Sequence, residues 1–492
     1  MASSKSFNYH SLIRMMGVLF IVLGLAFVPT VIVALIYGEK HEALCFTATM
    51  VPCFLTGLVL MKTFSPTGLR TKQRDGYLIV TIAWLMCSVI GAVPMVLTGA
   101  IPNPVNAFFE ICSGFSTTGA SVMSNLESYP RSVLFWRSFT HWLGGMGIIV
   151  FATALLPSIG IGGQIVASAE TPGPTLTKLT AHFSDTAQNL YRLYIAITVA
   201  EIIFLKIGGM SLYDALIHTF GTVGTGGFSS YSDSVGHFTS PYIQWVIIVF
   251  MVICGINFNL YFLIPKKRIR EFFDDAEVKL YLGIIIAFSF ATAADLMVQG
   301  GYSSVSKAIR DGFFQICSVI TTTGYCTTDF DVWPAFCKML IIFVMITGAC
   351  SGSTGGGLKM IRLYTAIKYV KRGFFMKLHP NRVLTVSVNH RSVPQGVVTN
   401  IVNYIFFYLV VLFGGALLIS VDGYDIVTNF TAALTCLGNV GPGLNAVGPT
   451  MNFAGFSNFS TLVLALMMIA GRLELFTFFM VFSRHFWNSN KA

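Results

Sequence analysis

Long runs of apolar residues, separated by short polar connections, dominate the chain. Ten of these runs reach the length of roughly 20 residues that a helix needs to cross a bilayer core about 30 Å thick. They cover about residues 14–37, 42–62, 76–99, 132–157, 187–208, 241–264, 279–299, 332–372, 397–420 and 457–483, and the eighth run is interrupted. The pattern predicts an all-α integral membrane protein. Because the number of crossings is even, both termini are predicted on the same side of the membrane.

Four connections between these helices contain a second, shorter pattern. Each begins with a partly apolar segment that is too short to span a membrane, and each continues into threonine and glycine residues before the next long helix. The four segments are NAFFEICSGFSTTGAS (106–121), DALIHTFGTVGTGGFS (214–229), DGFFQICSVITTTGYC (311–326) and TNFTAALTCLGNVGPG (428–443). Thirteen residues after the first residue of each segment stands a glycine: Gly119, Gly227, Gly324 and Gly441.

We interpret this pattern as an internal repeat of helix, re-entrant half-helix, loop and helix, present four times after two additional helices. The two additional helices occupy residues 1–70, and repeats 1 to 4 occupy 71–160, 161–272, 273–392 and 393–492. The loops that follow the half-helices lie at 113–121, 222–229, 320–327 and 436–443. Non-helical backbone survives at membrane depth only where it is buried in protein or lines a water-filled cavity. The prediction therefore places the four loops around one central pore.

Composition and charge agree with a membrane protein. Hydrophobic residues make up 54% of the chain and charged residues only 11%, whereas a soluble domain carries about 25% charged residues. This excludes a cytosolic enzyme, a nucleic-acid-binding domain and a secreted disulfide scaffold. Basic residues cluster in 62–74, 266–279 and 359–391, the last of which begins with Lys359 and Arg362. All three stretches fall on the side of the N-terminus, which predicts cytoplasmic termini.

The loop residues suit a monovalent cation. Glycine accepts positive φ, so that successive backbone carbonyls can point in one direction, and rings of four such carbonyls replace the hydration shell of K+ in channel filters. The C-terminal ends of the half-helices add partial negative charge. The loops contain no acidic residue, which argues against a divalent-cation site. We expect Glu110, Asp214, His218, Asp311 and Gln315, on the half-helices, to support the loops from behind.

The motifs TTTGY (321–325) and TVGTGGF (222–228) look like degenerate potassium-channel signatures. With four such loops in one polypeptide, the sequence from about residue 10 to 485 resembles the Trk/Ktr/HKT superfamily of potassium transporters. The two additional N-terminal helices, AETPGP at 169–174 and NVGPG at 439–443 favour the TrkH type within it. The resemblance implies a K+ filter with three residues from each loop: Thr117, Thr118, Gly119; Thr225, Gly226, Gly227; Thr322, Thr323, Gly324; and Asn439, Val440, Gly441.

Two features of these loops depart from the channel signature. Only one glycine per loop matches its double glycine in position, and the fourth loop has no threonine before Gly441. We therefore expect Rb+ and some Na+ to pass as well as K+. In the second loop, either Gly226 or Gly227 could be the glycine that is equivalent to those of the other three loops.

The interruption of the eighth apolar run, TGACSGSTGGGLK (347–359), is rich in glycine. Each glycine costs about 1 kcal/mol relative to alanine in a helix, so we expect an intramembrane loop at 347–358 that blocks the pore below the filter. The resemblance implies the same gating role. The predicted gate residues are Gly348, Cys350, Ser351, Gly352, Ser353, Thr354, Gly355, Gly356 and Gly357. A glycine kink that serves helix packing is the alternative, whereas a phosphate-binding P-loop is excluded because its full motif is missing.

Arg472 lies in the middle of the last apolar run, where an ionisable side chain is costly and marks a functional candidate. The alternative is a structural arrangement of Arg472 with Glu474 or with the backbone. The resemblance implies that Arg472 forms a positive barrier beside the gating loop, hydrogen-bonded to the carbonyls of that loop.

The resemblance further implies a gated potassium-conducting subunit of the bacterial cytoplasmic membrane. It implies a homodimer and a cytosolic TrkA-like ring that binds nucleotides, so nucleotides would act only through this partner and no cofactor is bound covalently. The basic stretches are predicted to contact either such a partner or anionic membrane lipids. The alternative function is a symporter coupled to H+ or Na+, although such proteins use inverted repeats and these repeats all start on one side. Without an HExxH, GxSxG or paired-carboxylate pattern around Cys350 or Ser351, we expect no enzymatic activity.

Overall fold

The computed structural model describes residues 9–64, 73–147, 183–382, 384–389 and 391–487. The AETPGP motif at 169–174 and the second part of the predicted run 132–157 lie outside the described residues. The described chain is helical apart from loops and one short antiparallel hairpin, Ser387–Val388 with Arg391–Ser392. This confirms the prediction of an all-α membrane protein.

The two additional helices, Tyr9–Ile36 and Lys40–Thr63, pack closely against each other. Their backbones approach at two glycines, since a Cβ built on Gly57 would lie only 2.7 Å from the carbonyl oxygen of Gly17. Small residues allow such close packing between membrane helices. The pair joins repeat 1 through the ring of Phe27, whose centroid lies 4.3 Å from that of Trp136.

The four repeats share one architecture of first helix, half-helix, loop and second helix. The first helices are Gln73–Leu97, Phe183–Ile207, Ala276–Val298 and Gln395–Ile419. The half-helices are Pro104–Phe115, Leu212–Gly224, Val305–Ile320 and Ile426–Gly438. The second helices are Arg131–Gly145, Pro241–Cys254, Ala335–Thr347 and Asn458–Arg472.

Shorter elements connect these parts. Within the described residues, the remaining α-helices are Ile269–Asp274, Met360–Leu378, Leu475–Met480 and Arg484–Trp487. Short 3-10 helices in the same part of the chain are Leu126–Ser128, Ser234–His237, Phe258–Leu263, Phe330–Val332, Ser420–Asp422 and Asn445–Val447.

Each half-helix begins at a side chain that accepts a hydrogen bond from a backbone N–H of the first turn. These capping residues are Asn103, Ser211, Ser304 and Asp425. Such caps are worth about 1 kcal/mol each, because they satisfy N–H groups that have no partner within the helix. The half-helices therefore start at defined positions, and each ends where its glycine-containing loop begins.

The second helices are shorter than the sequence predicts. The runs 241–264 and 457–483 were expected as continuous spans, but their helices end at Cys254 and Arg472. Within the described residues, five helices are long and apolar enough to cross a membrane: Tyr9–Ile36, Lys40–Thr63, Arg74–Leu97, Ala276–Val298 and Gln395–Asp422. The predicted ends of the runs 241–264 and 457–483 were wrong because the residues after Cys254 and Arg472 remain apolar. Hydropathy therefore does not reveal where the backbone leaves the helix.

Candidate functional site

The four loops after the half-helices have the same backbone geometry. In each loop, φ is positive at the glycine and at the residue two positions before it. The glycines are Gly119, Gly227, Gly324 and Gly441, with φ between 75° and 107°. The residues two positions before them are Thr117, Thr225, Thr322 and Asn439, with φ between 54° and 58°. The twelve predicted filter residues thus occupy equivalent positions. The choice left open in the second loop falls on Gly227.

The residue that begins each of these triplets is held in a strained conformation. A β-branched residue with positive φ is a clear outlier, and each costs of order 1–3 kcal/mol. Three of the four loops place a threonine there, and the fourth places Asn439, a residue type that accepts this region more readily. The Asn439 amide donates to Thr118 Oγ1 at 2.9 Å and to the Met468 carbonyl at 2.9 Å. Strain at one equivalent position in all four loops indicates that the surrounding structure imposes the geometry.

The four glycines connect the loops into a closed ring. Each glycine packs against a backbone carbonyl of the next loop, and that carbonyl belongs to the residue just before the next loop's own glycine. A side chain on Gly119, Gly227 or Gly324 would overlap this carbonyl. On Gly441, a Cβ would lie 2.8 Å from the carbonyl oxygen of Thr118. The carbonyls contacted are, in order, those of Gly226, Thr323, Val440 and Thr118. The contacts run from loop 1 to 2, 3, 4 and back to 1, so the four loops surround a single axis.

The ring opens on one side into a cavity of about 240 Å³ that is lined by all four glycines. The residues that follow the glycines, such as Ser121 and Ser229, line the same cavity. These connections lie on the side of the membrane that the charge distribution predicts to be extracellular. The ring therefore stands at the base of an open mouth.

A buried ion pair joins loops 1 and 2 behind the ring. Arg137 Nε lies 2.5 Å from Glu110 Oε1, and the Arg137 guanidinium also donates to the Ser229 carbonyl at 3.2 Å. Glu110 in turn accepts from the Val122 N–H at 2.8 Å and from the Ser121 hydroxyl at 3.0 Å. The expected supporting role of Glu110 is thus matched by contacts to the backbone just after Gly119.

The half-helices of repeats 2 and 3 hold their own loops in a similar way. His218 Nε2 is hydrogen-bonded with the Ser229 hydroxyl at 3.0 Å, and the Gln315 amide donates to the Thr328 carbonyl at 3.4 Å. Asp214 accepts from the Ser230 hydroxyl at 3.0 Å, whereas Asp311 accepts from the Tyr302 hydroxyl at 3.1 Å, outside the loop.

Sequence reasoning missed one residue that joins neighbouring loops. The Tyr325 hydroxyl donates to the His218 carbonyl at 2.9 Å and to the Phe228 carbonyl at 3.2 Å, so it joins loop 3 to repeat 2. Its position directly after Gly324 was the available signal.

Replacing Glu110 by alanine is expected to destabilise the protein by about 3–5 kcal/mol, because Arg137 then remains buried without its carboxylate. The measurement is the thermal unfolding midpoint of the purified protein in detergent. Glu271→Ala, which removes a half-exposed carboxylate, is the matched control and should leave the midpoint unchanged. An E110A midpoint equal to that of the wild type would contradict the structural role of this ion pair.

The predicted gating segment forms a non-helical loop between Thr347 and Met360, directly beneath the ring and opposite the mouth cavity. The Gly356 N–H donates to Thr322 Oγ1 at 2.7 Å, and a Cβ on Gly355 would lie 2.9 Å from the carbonyl oxygen of Thr321. A kinked continuous helix, the alternative considered from the sequence, is not what the chain forms here. We call residues 348–359 the gating loop after the role predicted for them, and this loop packs against the ends of the third and fourth half-helices.

The break after the second helix of repeat 2 meets the gating loop. The Cys350 N–H donates to the Gly255 carbonyl at 3.0 Å, and the Thr354 hydroxyl donates to the Cys254 carbonyl at 3.3 Å. The Gly352 carbonyl accepts from the Phe258 N–H at 3.0 Å. Peptide groups that a continuous helix would have used internally therefore bind the gating loop instead, which is the physical reason for the early end at Cys254.

Arg472 bridges the gating loop and repeat 1. Its guanidinium donates to the carbonyls of Thr354 at 2.6 Å, Gly144 at 2.6 Å and Gly145 at 2.7 Å, and the residue is 7% exposed. Glu474, which the sequence offered as a partner for Arg472, forms an ion pair with Arg362. The bond to Thr354 is the one expected between Arg472 and the gating loop, the bonds to Gly144 and Gly145 match the structural alternative with the backbone, and the barrier role stays a prediction.

Two further cations lie beside this loop, where the sequence did not predict them. Lys359 and Arg362 were assigned to a cytoplasmic basic stretch, but they are only 1% and 5% exposed. The Lys359 ammonium donates to the Gly355 carbonyl, and the Arg362 guanidinium lies 3.7 Å from the ring centroid of Tyr404. Counting charges along the chain cannot distinguish a solvated cation from one that a loop buries, so the burial of these two residues is visible only in the structure.

Comparisons with known proteins agree with this architecture. The TrkH family, described as a cation transport protein, matches residues 42–489. The Trk system potassium uptake protein TrkH of Escherichia coli (strain K12) is 34% identical over 484 residues, which cover 98% of this chain and 99% of that protein. TrkH of Vibrio parahaemolyticus is 33% identical over 490 residues, covering 98% of this chain and 100% of that protein.

A solved structure supports the same assignment. The crystal structure of the potassium transporter TrkH from Vibrio parahaemolyticus superimposes with a TM-score of 0.87 at 32% identity, covering 98% of this chain and 100% of that one. The family match over most of the chain, the similarity to full-length relatives and the similarity of the fold all indicate the same family. The chain therefore belongs to the TrkH family of cation transport proteins, as a multi-pass membrane protein and not an enzyme.

Proposed function

We propose that this chain is the potassium-conducting membrane subunit of a Trk-type uptake system, a gated pore in the bacterial cytoplasmic membrane. The observation that carries the proposal is the closed ring of four glycines and four neighbouring carbonyls. Carbonyl rings of this kind replace the hydration shell of a monovalent cation, and the half-helix ends that point at the ring add negative potential. K+ is the transported ion, as the names of the relatives support, and Rb+ and some Na+ also pass, because only one glycine per loop matches the double glycine of the channel signature in position.

The gating loop closes this pore. It occupies the space beneath the ring and binds Thr322 through Gly356. The buried side chains of Lys359 and Arg472 contribute positive charge at the same level. A cation that leaves the ring therefore meets both a steric block and electrostatic repulsion, which together explain how such a pore avoids continuous leak.

Control comes from partners rather than from a cofactor held by this chain. A cytosolic TrkA-like ring that binds nucleotides docks on the exposed basic residues of the cytoplasmic side, which include Lys371, Lys377 and Arg382. Two copies of the chain form a homodimer with one pore each. Membrane lipids contact the remaining apolar surface. The name "Trk system" of the relatives supports an assembly of several components.

Flux measurements on proteoliposomes test the function. We expect Rb+ uptake driven by an inside-negative membrane potential alone, with the rate raised when a nucleotide-loaded TrkA-like ring is added. Collapsing the potential should abolish uptake, and imposing or removing a pH or Na+ gradient should not change it. Strict dependence on either gradient would overturn the pore and favour the ion-coupled symporter instead.

A further inference from the structure

Glu277 is a buried carboxylate that the pore described so far does not use. It lies in the first turn of the first helix of repeat 3, Ala276–Val298, and is 5% exposed. That helix is capped by its neighbour, since Asp275 Oδ1 accepts from the N–H groups of Glu277 at 2.9 Å and Val278 at 3.1 Å. The Glu277 carboxylate is therefore available for contacts outside its own helix.

The Glu277 carboxylate binds both ends of the gating loop. Its Oε1 accepts from the N–H groups of Ser351 at 2.7 Å and Ile361 at 2.9 Å, and its Oε2 accepts from the Ser351 hydroxyl at 3.0 Å. Ser351 stands in the first part of the loop, whereas Ile361 stands in the first turn of the helix that follows it. One carboxylate thus connects the point where the chain enters the loop with the point where it leaves.

The contact to Ile361 also completes a helix start. The helix Met360–Leu378 follows Lys359, whose ammonium donates to the Gly355 carbonyl and, having no acceptor, cannot cap the helix. Glu277 supplies the acceptor from a different helix, and a negative charge at this end is favoured by the helix dipole. The carboxylate therefore holds the loop and the following helix in one arrangement.

We propose that Glu277 is a positioning residue that latches the gating loop in its closed arrangement, and that opening requires its carboxylate to release Ser351 or Ile361. The proposal rests on the proposed function, in which this loop is the gate. The helix Met360–Leu378 continues toward the exposed basic residues Lys371 and Lys377. A partner that displaces this helix would pull Ile361 away from Glu277 and thereby free the loop.

Thiol labelling of Cys350 tests the latch without measuring transport. Cys350 is adjacent to Ser351 and completely buried. We expect Glu277→Ala to raise the rate of Cys350 modification by N-ethylmaleimide roughly tenfold, a change that corresponds to about 1.4 kcal/mol. Mass spectrometry of the Cys350 peptide gives the rate, and Cys112 and Cys436, buried on half-helices, should remain unlabelled in the folded variant. Glu271→Ala, which removes an exposed carboxylate nearby, should label at the wild-type rate.

Glu277→Gln provides a second variant of the same shape. Its amide oxygen can still accept from Ser351 or Ile361, so we expect a smaller rise in labelling than for E277A. Wild-type rates of Cys350 labelling in both folded variants would overturn the latch. Rb+ leak through the same proteins separates this inference from the proposed function. A faster labelling with a faster leak supports both, whereas faster labelling with unchanged leak supports the latch and overturns the loop as the gate.

Discussion

A chain that carries both Gly119→Ser and Gly324→Ser is expected to lose potential-driven Rb+ uptake, down to the level of empty vesicles. Both glycines have positive φ, 83° and 78°, which costs an L-residue roughly 1–2 kcal/mol. Both also pack against a carbonyl of the next loop, so a side chain would displace the carbonyls of Gly226 and Val440. Because these carbonyls belong to the proposed ion site, the substitutions alter the ring itself and not only its stability.

Two other glycines separate these effects. Gly99 and Gly301 precede the half-helices of the same repeats and have similar positive φ, 74° and 69°. Among the residues that the structure describes, no atom lies within 4 Å of a Cβ built on either. Gly99→Ser with Gly301→Ser thus imposes the backbone strain without the collision, and uptake should persist. Uptake that survives Gly119→Ser with Gly324→Ser in folded protein would contradict the filter assignment.

Replacing Arg472 by glutamine is expected to raise Rb+ leak through the subunit without its partner by tenfold to a hundredfold. The guanidinium binds one carbonyl of the gating loop and two of repeat 1. Hydrogen bonds to a charged group are worth about 1.5–3 kcal/mol each, and about 1.4 kcal/mol changes an equilibrium tenfold. The loss of one such bond therefore accounts for the lower limit, and the loss of the positive charge acts in the same direction.

Arg472→Lys distinguishes the bridge from the charge. Lysine keeps the positive charge, but it lacks the planar fork of five donors that reaches several carbonyls at once. We expect R472K to leak less than R472Q and more than wild type, because the barrier remains while the bridge is incomplete. Arg192→Gln is the control, because it replaces an exposed arginine on the first helix of repeat 2. This substitution should not change the leak. Wild-type leak in R472Q would exclude Arg472 from gating.

The positions of the candidate filter residues could be chosen from the sequence because the choice depends on short, local patterns. Apolar length predicted the helices, and the thirteen-residue spacing to Gly119 and its three counterparts aligned the loops without structural information. The second loop shows the limit of this approach. Its two adjacent glycines, Gly226 and Gly227, cannot be distinguished in the sequence alone. Only the positive φ of Gly227 shows that this residue is equivalent to the glycines of the other three loops.

The surroundings of the gating loop were less accessible. Glycine content indicated an irregular segment, but the same composition suits a kink. The burial of Lys359, the end of the helix at Cys254 and the contacts of Glu277 depend on parts of the chain that are far apart in sequence. Hydropathy treats Lys359 as a surface cation and continues the helix past Cys254, since neither property is encoded in the neighbouring residues.

By itself, then, the sequence determined that this is a helical membrane protein with four equivalent loops, because hydropathy and glycine spacing are properties of adjacent residues. The tertiary structure alone decided the cyclic order of the loops and the convergence of the helix ends on the gating loop. It also decided the pairing of Arg472 with Gly144, 328 residues away, and of Glu277 with Ser351 and Ile361. Each of these contacts joins a charged side chain to a backbone group of a kind that every residue carries, so the sequence does not show in advance which backbone group will be the partner.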